Sequence, residues 1–373
     1  MRFHVFNDSH GHFLNATVER FDKAGMLTHN TFVNLTQQTS YANKHVIYLR
    51  KNCRAYRKFI REYGNIQLVT FYPYDDLGAW FLKELVEVHR EVKVQWVFWS
   101  YEYYHQYANF TSLLDPFSLA YYKNRPVHSS MKNAVASLVK KVMHIPYYNR
   151  KVLAKGHNRF SVFYSFLPQD FIEVRNNIVN DSIIYRPISF LSIEQIVEGV
   201  SIKPQTSTIM IGHAATITAN HIEVLKKLSC MKIANKLFIP LEYGDMKYAA
   251  QVKFMAKSLF SNCVEVLETR RTMHEYYTKL STVGFAIFNF KKQEALGNLL
   301  FLLWNGAKVF LAEESTAYKQ FKTWGLSLFS LADISAVSLS ELLPEESALK
   351  NKSILTNLFA EEKLQEYWKP LMY

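Results

Sequence analysis

The sequence predicts an α/β protein made of two successive doubly wound domains, each built on a parallel sheet. Three observations predict it. At 373 residues the chain has the length of two ordinary domains. Short apolar runs of four to six residues alternate with longer segments of helical period, most regularly after residue 206. The alternation breaks over Pro187–Gln205, which carries Pro187 and Pro204. The domains are therefore placed at residues 1–190 and 206–373, with room for a C-terminal helix to pack back on the first.

In the first domain Phe3–Phe6 reads as a strand and Phe13–Lys23 as a helix. Strands are expected at Val46–Leu49 and Ile66–Phe71, with a helix Arg54–Tyr63 between them. A helix Leu77–His89 leads to a strand Val94–Trp99, a mainly helical stretch Pro116–Ala154, and strands Ser161–Tyr164 and Ser182–Tyr185. In the second domain the runs Thr208–Ile211, Lys236–Pro240, Val264–Leu267, Gly284–Asn289, Lys308–Leu311 and Leu326–Phe329 read as strands. Helices are expected at His221–Leu228, from Asp245 to about Ser258, from near Thr272, over Gln293–Trp304 and over Thr316–Thr323. Two such domains suit ligands held at the carboxyl ends of the sheets.

Composition narrows the partners. Lys and Arg exceed Asp and Glu by 44 to 32, a net charge of +12, and aromatic residues make up 15%. A basic, aromatic-rich protein suits an anionic partner: nucleic acid, an anionic membrane or a phosphorylated substrate. The 49% hydrophobic content is that of a folded domain. Cys53, Cys230 and Cys263 form neither a disulfide framework nor a metal-ligand spacing, which fits a reducing compartment. No apolar run reaches the roughly 18 residues of a spanning helix; Leu296–Ala312 comes nearest and is interrupted by Lys308. Met1–His10 has no apolar core and does not read as a secretory signal.

One stretch stands apart. Pro116–Gln169 contains no Asp or Glu in 54 residues, yet holds nine Lys and Arg, among them Lys132, Lys140, Lys141, Arg150 and Lys151. Val135, Leu138, Val139 and Val142 recur at helical spacing over Lys132–Val142. A basic, amphipathic segment suits anionic lipid headgroups or a polyprenyl diphosphate. The alternative is a solvated face whose apolar side packs into the domain. No helix-turn-helix, zinc-finger, RNP or GxxG signature favours nucleic acid.

Four further stretches carry chemistry. Gly212-His213 through Asn220-His221 joins a strand to a helix, where free backbone N–H groups suit a phosphate; a plain loop is the alternative. Pro240-Leu241-Glu242-Tyr243-Gly244-Asp245 follows the next strand, with Asp245 as a candidate N-cap. Asn289 to Asn298 sets Lys291, Lys292, Gln293 and Asn298 around a helix start, as a diphosphate needs; exposed lysines are the alternative. In Trp96–Tyr104, Glu102 follows a buried strand among aromatics that would exclude water and raise its pKa, as a general base requires; the alternative is a surface carboxylate. There is no HExxH, DxD, GxSxG or Walker A lysine loop.

The ordered series Gly212…Asn220-His221-Ile222, Pro240…Tyr243-Gly244-Asp245, Glu268…Met273…Glu275-Tyr276 and Lys292-Gln293…Ala295…Gly297-Asn298 resembles the bacterial TDP-N-acetylfucosamine:lipid II N-acetylfucosaminyltransferases, the 4-acetamido-4,6-dideoxygalactose transferases of enterobacterial common antigen synthesis. Trp99-Ser100-Tyr101-Glu102-Tyr103-Tyr104 resembles the family's Trp-Gly-x-Asp-x-Tyr segment. The chain departs from the family at His213 (for Asn), Glu294 (for Gln), Lys292 (for Arg), Ser100 (for Gly) and Glu102 (for Asp).

The resemblance implies a GT-B fold, two Rossmann-like domains facing across a cleft. It implies inverting, metal- and cofactor-independent transfer of a 6-deoxy amino sugar from a dTDP donor. The acceptor would be an undecaprenyl-diphosphate-linked saccharide, with the protein peripheral at the cytoplasmic face of the inner membrane and no nucleic-acid partner. Donor contacts would come from Gly212, His213, Asn220, Tyr243, Glu268, Lys291, Lys292, Gln293 and Asn298, and the base would be Glu102. Lys132, Lys140, Lys141, Arg150 and Lys151 would meet the acceptor or membrane. A GT-B transferase of another nucleotide sugar and a non-catalytic basic protein binding nucleic acid or anionic lipid stand as alternatives.

Overall fold

The computed structural model describes residues 1–8, 11–36, 42–106, 110–125, 139–176 and 182–373. It divides into two units: Met1–Tyr107, Pro126–Ile188 and Glu366–Tyr373 form the first, and Ala108–Arg125 with Ser189–Gln365 the second. Each is an α/β unit on a wholly parallel sheet. The acid-free stretch is thus divided: its residues up to Arg125, including Lys123, cluster with the second unit and its described residues from Val139 on with the first.

The first sheet has seven strands: β1 (Arg2–Phe6), β2 (Asn30–Asn34), β3 (Val46–Tyr48), β4 (Leu68–Tyr72), β5 (Lys93–Val97), β6 (Phe160–Ser165) and β7 (Ile184–Pro187). Their order is β3-β2-β1-β4-β5-β6-β7. Helices α1 (His12–Lys23), α2 (Cys53–Glu62), α3 (Asp76–Val88), α4 (Tyr101–Gln106), α6 (Arg150–His157) and α7 (Pro168–Arg175) belong here, while α5 (Pro116–Lys123) belongs to the second unit. Strand β2 escapes the sequence reading because asparagines end it. Both are nonetheless buried, since Asn30 Oδ1 lies 2.9 Å from His4 Nε2 and Asn34 donates to the Asp8 carbonyl at 2.9 Å. Strands β4 and β5 hold their partners by parallel register, Phe71 opposite Trp96, and their apolar side chains fill the core.

The second sheet has six strands: β8 (Thr206–Ile211), β9 (Leu237–Pro240), β10 (Val264–Leu267), β11 (Val283–Phe288), β12 (Lys308–Leu311) and β13 (Phe329–Ser330). Their order is β10-β9-β8-β11-β12-β13. All six residues of β11 are buried, as expected of a central parallel strand covered on both faces. Helices α8 (Ile193–Val197), α9 (His221–Ser229), α10 (Met246–Phe260), α11 (Met273–Leu280), α12 (Leu296–Trp304), α13 (Thr316–Thr323) and α14 (Glu345–Leu358) complete the unit. Apolar side chains of β8, β9, α9 and α10 close one core with Phe285 and Ile287. The interval Pro187–Gln205 is not bare linker: it contains α8, opened by a capping box of Ser192 and Gln195. The last helix, α15 (Glu361–Met372), crosses the division at residue 366, and its Trp368 lies beneath Arg20 and edge-on to Phe21.

Both sheets share one logic. The order runs outward from the first strand, then reverses to the fourth. That reversal opens a crevice at the carboxyl ends of β1 and β4 in the first unit, and of β8 and β11 in the second, where ligands of open α/β sheets bind. Among the described residues no helix is long and apolar enough to cross a membrane.

Candidate functional site

In the second unit the β8 and β11 loops meet at this reversal. Gly212 ends β8 with φ +63°, and a Cβ there would stand 2.3 Å from His221 Nε2. Only glycine fits, because the backbone is left-handed and the ring leaves no room. Gly212→Ala is expected to cost about 2–4 kcal/mol of unfolding free energy, left-handed strain and overpacking together. Urea unfolding checks this, and an unchanged midpoint would refute the packing account.

His213 is buried, its ring edge-on to Phe290 and facing Tyr243. Its Nε2 lies 3.8 Å from Glu294. Burial holds the His213 imidazole below its ordinary pKa, despite the carboxylate. Glu294 is the hub. Thr218 donates to it at 2.6 Å, Thr216 at 3.3 Å, and Lys292 Nζ lies 2.8 Å away. Burial by itself would raise the Glu294 carboxyl, but Lys292, His213 and the Thr218 hydroxyl hold it below the usual carboxylate range. His221, at the start of α9, is fully buried and titrates only near 3, and neither ring nitrogen has a hydrogen-bond partner among the described residues.

The structure places the other expected donor residues differently. Lys291 and Lys292 are not exposed cations: Lys291 Nζ lies 2.7 Å from Asp115, and Lys292 is buried on Glu294. A buried ammonium needs a carboxylate, which decides the Lys292 pairing. Asn220 is 0% exposed, and its side chain is occupied by the chain itself. It donates to the carbonyls of Leu113, Thr218 and Asn289 and accepts from Asp115 N–H. Asn220 therefore braces the loop. Helix α12 begins at Leu296 after Ala295 at φ +55°, so Lys291 to Glu294 lie in the loop and not on the helix. Asn298 donates to Tyr276 Oη at 3.0 Å, and Gln293 sits in the same loop, half-buried. Tyr243 is 53% exposed beside the β8 loop, which its carbonyl joins through Ala215 N–H. Glu268 lies off this cluster, half-exposed against Lys253. Asp245 is the N-cap of α10, accepting from Lys247 and Tyr248 N–H, and pairs with Arg125 at 2.7 Å.

In the first unit Glu102 is 1% exposed, which excludes the surface reading. The Trp96 indole donates to its Oε1 at 3.1 Å and Trp99 N–H at 2.8 Å, while Oε2 has no hydrogen-bond partner among the described residues. Burial lifts its pKa to about 8, against these hydrogen bonds and with a smaller push from Asp75. Ser100, which opens this turn, has φ +77°. At the reversal of the same sheet, Asp8 accepts N–H bonds from Gly11, Phe13 and Leu14, and Asp75 caps α3 and accepts from Asn7. These carboxylates secure helix starts.

Among the basic residues, Lys140, Lys141, Arg150 and Lys151 are exposed on the first unit, and Lys132 lies outside the described residues. Val139 and Val142 are exposed too, while Val135 and Leu138 lie outside the described residues. Sequence reasoning noted Glu294 only as a departure and missed Asp115 and Thr218. The Lys292-x-Glu294 spacing beside the threonines of the β8 loop was the available signal.

Comparison with known proteins completes the picture. Residues 141–369 match the family described as 4-alpha-L-fucosyltransferase, glycosyl transferase group 56. No curated protein sequence matches the chain. Among solved structures, the UDP-forming α,α-trehalose-phosphate synthase of Burkholderia xenovorans with glucose-6-phosphate superimposes with TM-score 0.62 at 10% identity, over 100% of this chain and 99% of that one. HepE of Anabaena with UDP and glucose gives 0.62 at 10% identity, over 99% and 98%. Sucrose-phosphate synthase of Thermosynechococcus elongatus gives 0.59 at 10% identity, over 100% and 96%. These neighbours establish the GT-B type of fold, two Rossmann-like α/β units, and agree with the resemblance read from the sequence. With a match spanning more than half of its length, the chain belongs to glycosyl transferase group 56, the fucosyltransferase family, and is a glycosyltransferase.

Proposed function

We propose that the chain transfers 4-acetamido-4,6-dideoxygalactose, or a similar 6-deoxy amino sugar, from a dTDP donor to an undecaprenyl-diphosphate-linked saccharide. The reaction inverts the anomeric carbon, needs no metal, and serves bacterial surface polysaccharide synthesis at the cytoplasmic face of the inner membrane. The single observation that carries this reading is the match to a fucosyltransferase family, since fucose is itself a 6-deoxygalactose.

In this mechanism the second unit holds the donor at the β8–β11 reversal. Backbone N–H groups of the Gly212 loop and Lys291, exchanging Asp115 for phosphate oxygens, stabilise the leaving dTDP. Lys292 and Gln293 shape that loop, with the Lys292–Glu294 pair fixing it. Tyr243, partly exposed, covers the nucleotide or sugar. The acceptor hydroxyl gives its proton to Glu102 as its oxygen bonds to the anomeric carbon, and the bond from that carbon to the diphosphate oxygen breaks. Lys140, Lys141, Arg150 and Lys151 meet the acceptor diphosphate or the membrane. Expected in a melting scan is a selective rise with dTDP over UDP and GDP, worth about 2.7 kcal/mol at a hundredfold excess over Kd. No rise with any nucleotide would refute the donor assignment. A selective rise with UDP would favour a different nucleotide sugar, a second reading supported by the UDP-forming enzyme and the UDP complex among the structures of this fold.

A further inference from the structure

A groove of about 790 Å³ lies on the first unit between α2, α3 and residues 140–147. Seven Lys and Arg line it against two carboxylates, Glu62 and Glu84. One cation is committed: Arg57 pairs with Glu84 at 2.5 Å and with Glu87 at 2.9 Å. Arg54, Lys58, Arg61, Lys83, Lys140 and Lys141 have no carboxylate within ion-pair distance among the described residues. Like charges crowd one groove at a cost unless an anion enters it.

The wall nearest residue 143 is fixed. Cys53 N–H donates to the His144 carbonyl at 2.9 Å, Asn52 Nδ2 donates to the Met143 carbonyl at 3.0 Å, and Arg54 contacts the His144 ring at 2.8 Å. The Trp80 indole donates to the Tyr147 carbonyl at 2.8 Å. These bonds hold Val142, 71% exposed, and Met143, 56% exposed, at the rim between the groove-lining Lys141 and His144. A soluble phosphate ligand would use the cations and leave the rim apolar groups in water. A membrane uses both, because headgroups meet the cations while rim side chains enter the acyl boundary.

We propose that this groove is a headgroup site for anionic phospholipid and that Val142 and Met143 anchor it in the bilayer surface. The inference takes its setting from the membrane-linked acceptor proposed above, and its test needs the groove alone. The full chain is expected to co-sediment with phosphatidylcholine vesicles containing phosphatidylglycerol, to be released by salt, and to leave pure phosphatidylcholine vesicles unbound. Arg54→Gln/Lys58→Gln/Arg61→Gln, which spares Arg57 and its buried partner, is expected to weaken that partition by about a hundredfold. Val142→Ser/Met143→Ser is expected to weaken it with the salt dependence unchanged.

Wild-type partition in the triple variant, or equal binding to neutral vesicles, would overturn the proposal. So would stabilisation by inorganic phosphate matching that by vesicles, or preference for a single-stranded oligonucleotide over vesicles. Melting scans of the wild-type chain with dTDP separate the two readings: no nucleotide response with vesicle binding intact refutes the donor assignment and not the lipid site.

Discussion

Glu102→Gln is expected to lower kcat by about 10²–10⁴-fold while leaving the dTDP-induced melting shift unchanged. The substitution keeps the shape of a buried side chain and its acceptor for Trp96 and Trp99, but it cannot take a proton. Near-wild-type turnover would sink the assignment. The pH profile offers a second reading of the same group. For the proposed base the active form is the carboxylate, and burial lifts its pKa to about 8, so kcat is expected to climb with pH and level off above that value. Stability moves the other way. Between the ordinary 4.5 of the unfolded chain and about 8, the native state keeps a proton that the unfolded state has released. Unfolding free energy therefore falls as pH rises through this window. The glutamine variant lacks that slope, so its Tm relative to wild type is expected to rise across the same window. Parallel melting curves would contradict the buried, protonated carboxyl.

Glu294→Leu is expected to cost about 3–5 kcal/mol, because it leaves the buried Lys292 ammonium without its carboxylate. Loss of the acceptor for Thr216 and Thr218 acts in the same direction. Lys292→Met added to it is expected to return a large part of the loss, since two apolar side chains then replace the ion pair. Urea unfolding of the wild type, both single variants and the double variant gives the coupling. A double variant no more stable than Glu294→Leu would show that Lys292 does not depend on Glu294. In either variant the β8–β11 loops lose their fixed charge pair, so the dTDP response is expected to weaken.

Much of the fold was legible because buried parallel strands are written as continuous apolar runs. The run Gly284–Asn289 and the strand Val283–Phe288 differ by one residue at each end. The starts of α12 and β2 were not legible for local reasons. Ala295 adopts a left-handed conformation that no propensity favours, and the asparagines of β2 are buried only because distant partners satisfy them. Positions of the candidate site at strand ends were legible from strand–loop order. Pairing was not. Lys291 reads as a free cation until folding brings Asp115 from a remote helix start, and Asn220 reads as a ligand until its amide meets three carbonyls. Net charge behaved similarly: the +12 excess is a bulk quantity, while folding concentrates part of it in one groove between α2 and α3.

Ser100 bears on the balance between order and freedom at the turn that carries Glu102. With φ at +77° it holds a conformation that costs an L-residue about 1–2 kcal/mol. Its carbonyl accepts from the N–H groups of Tyr103 and Tyr104, which start α4 and set Glu102 in place. A glycine would relieve that strain. It would also enlarge the conformational freedom lost on folding, by about 0.5–1 kcal/mol. The two effects oppose each other and are of similar size. A serine can therefore occupy a turn shaped for glycine at little net cost, and it narrows the range of shapes that the turn explores before the carboxyl is locked in.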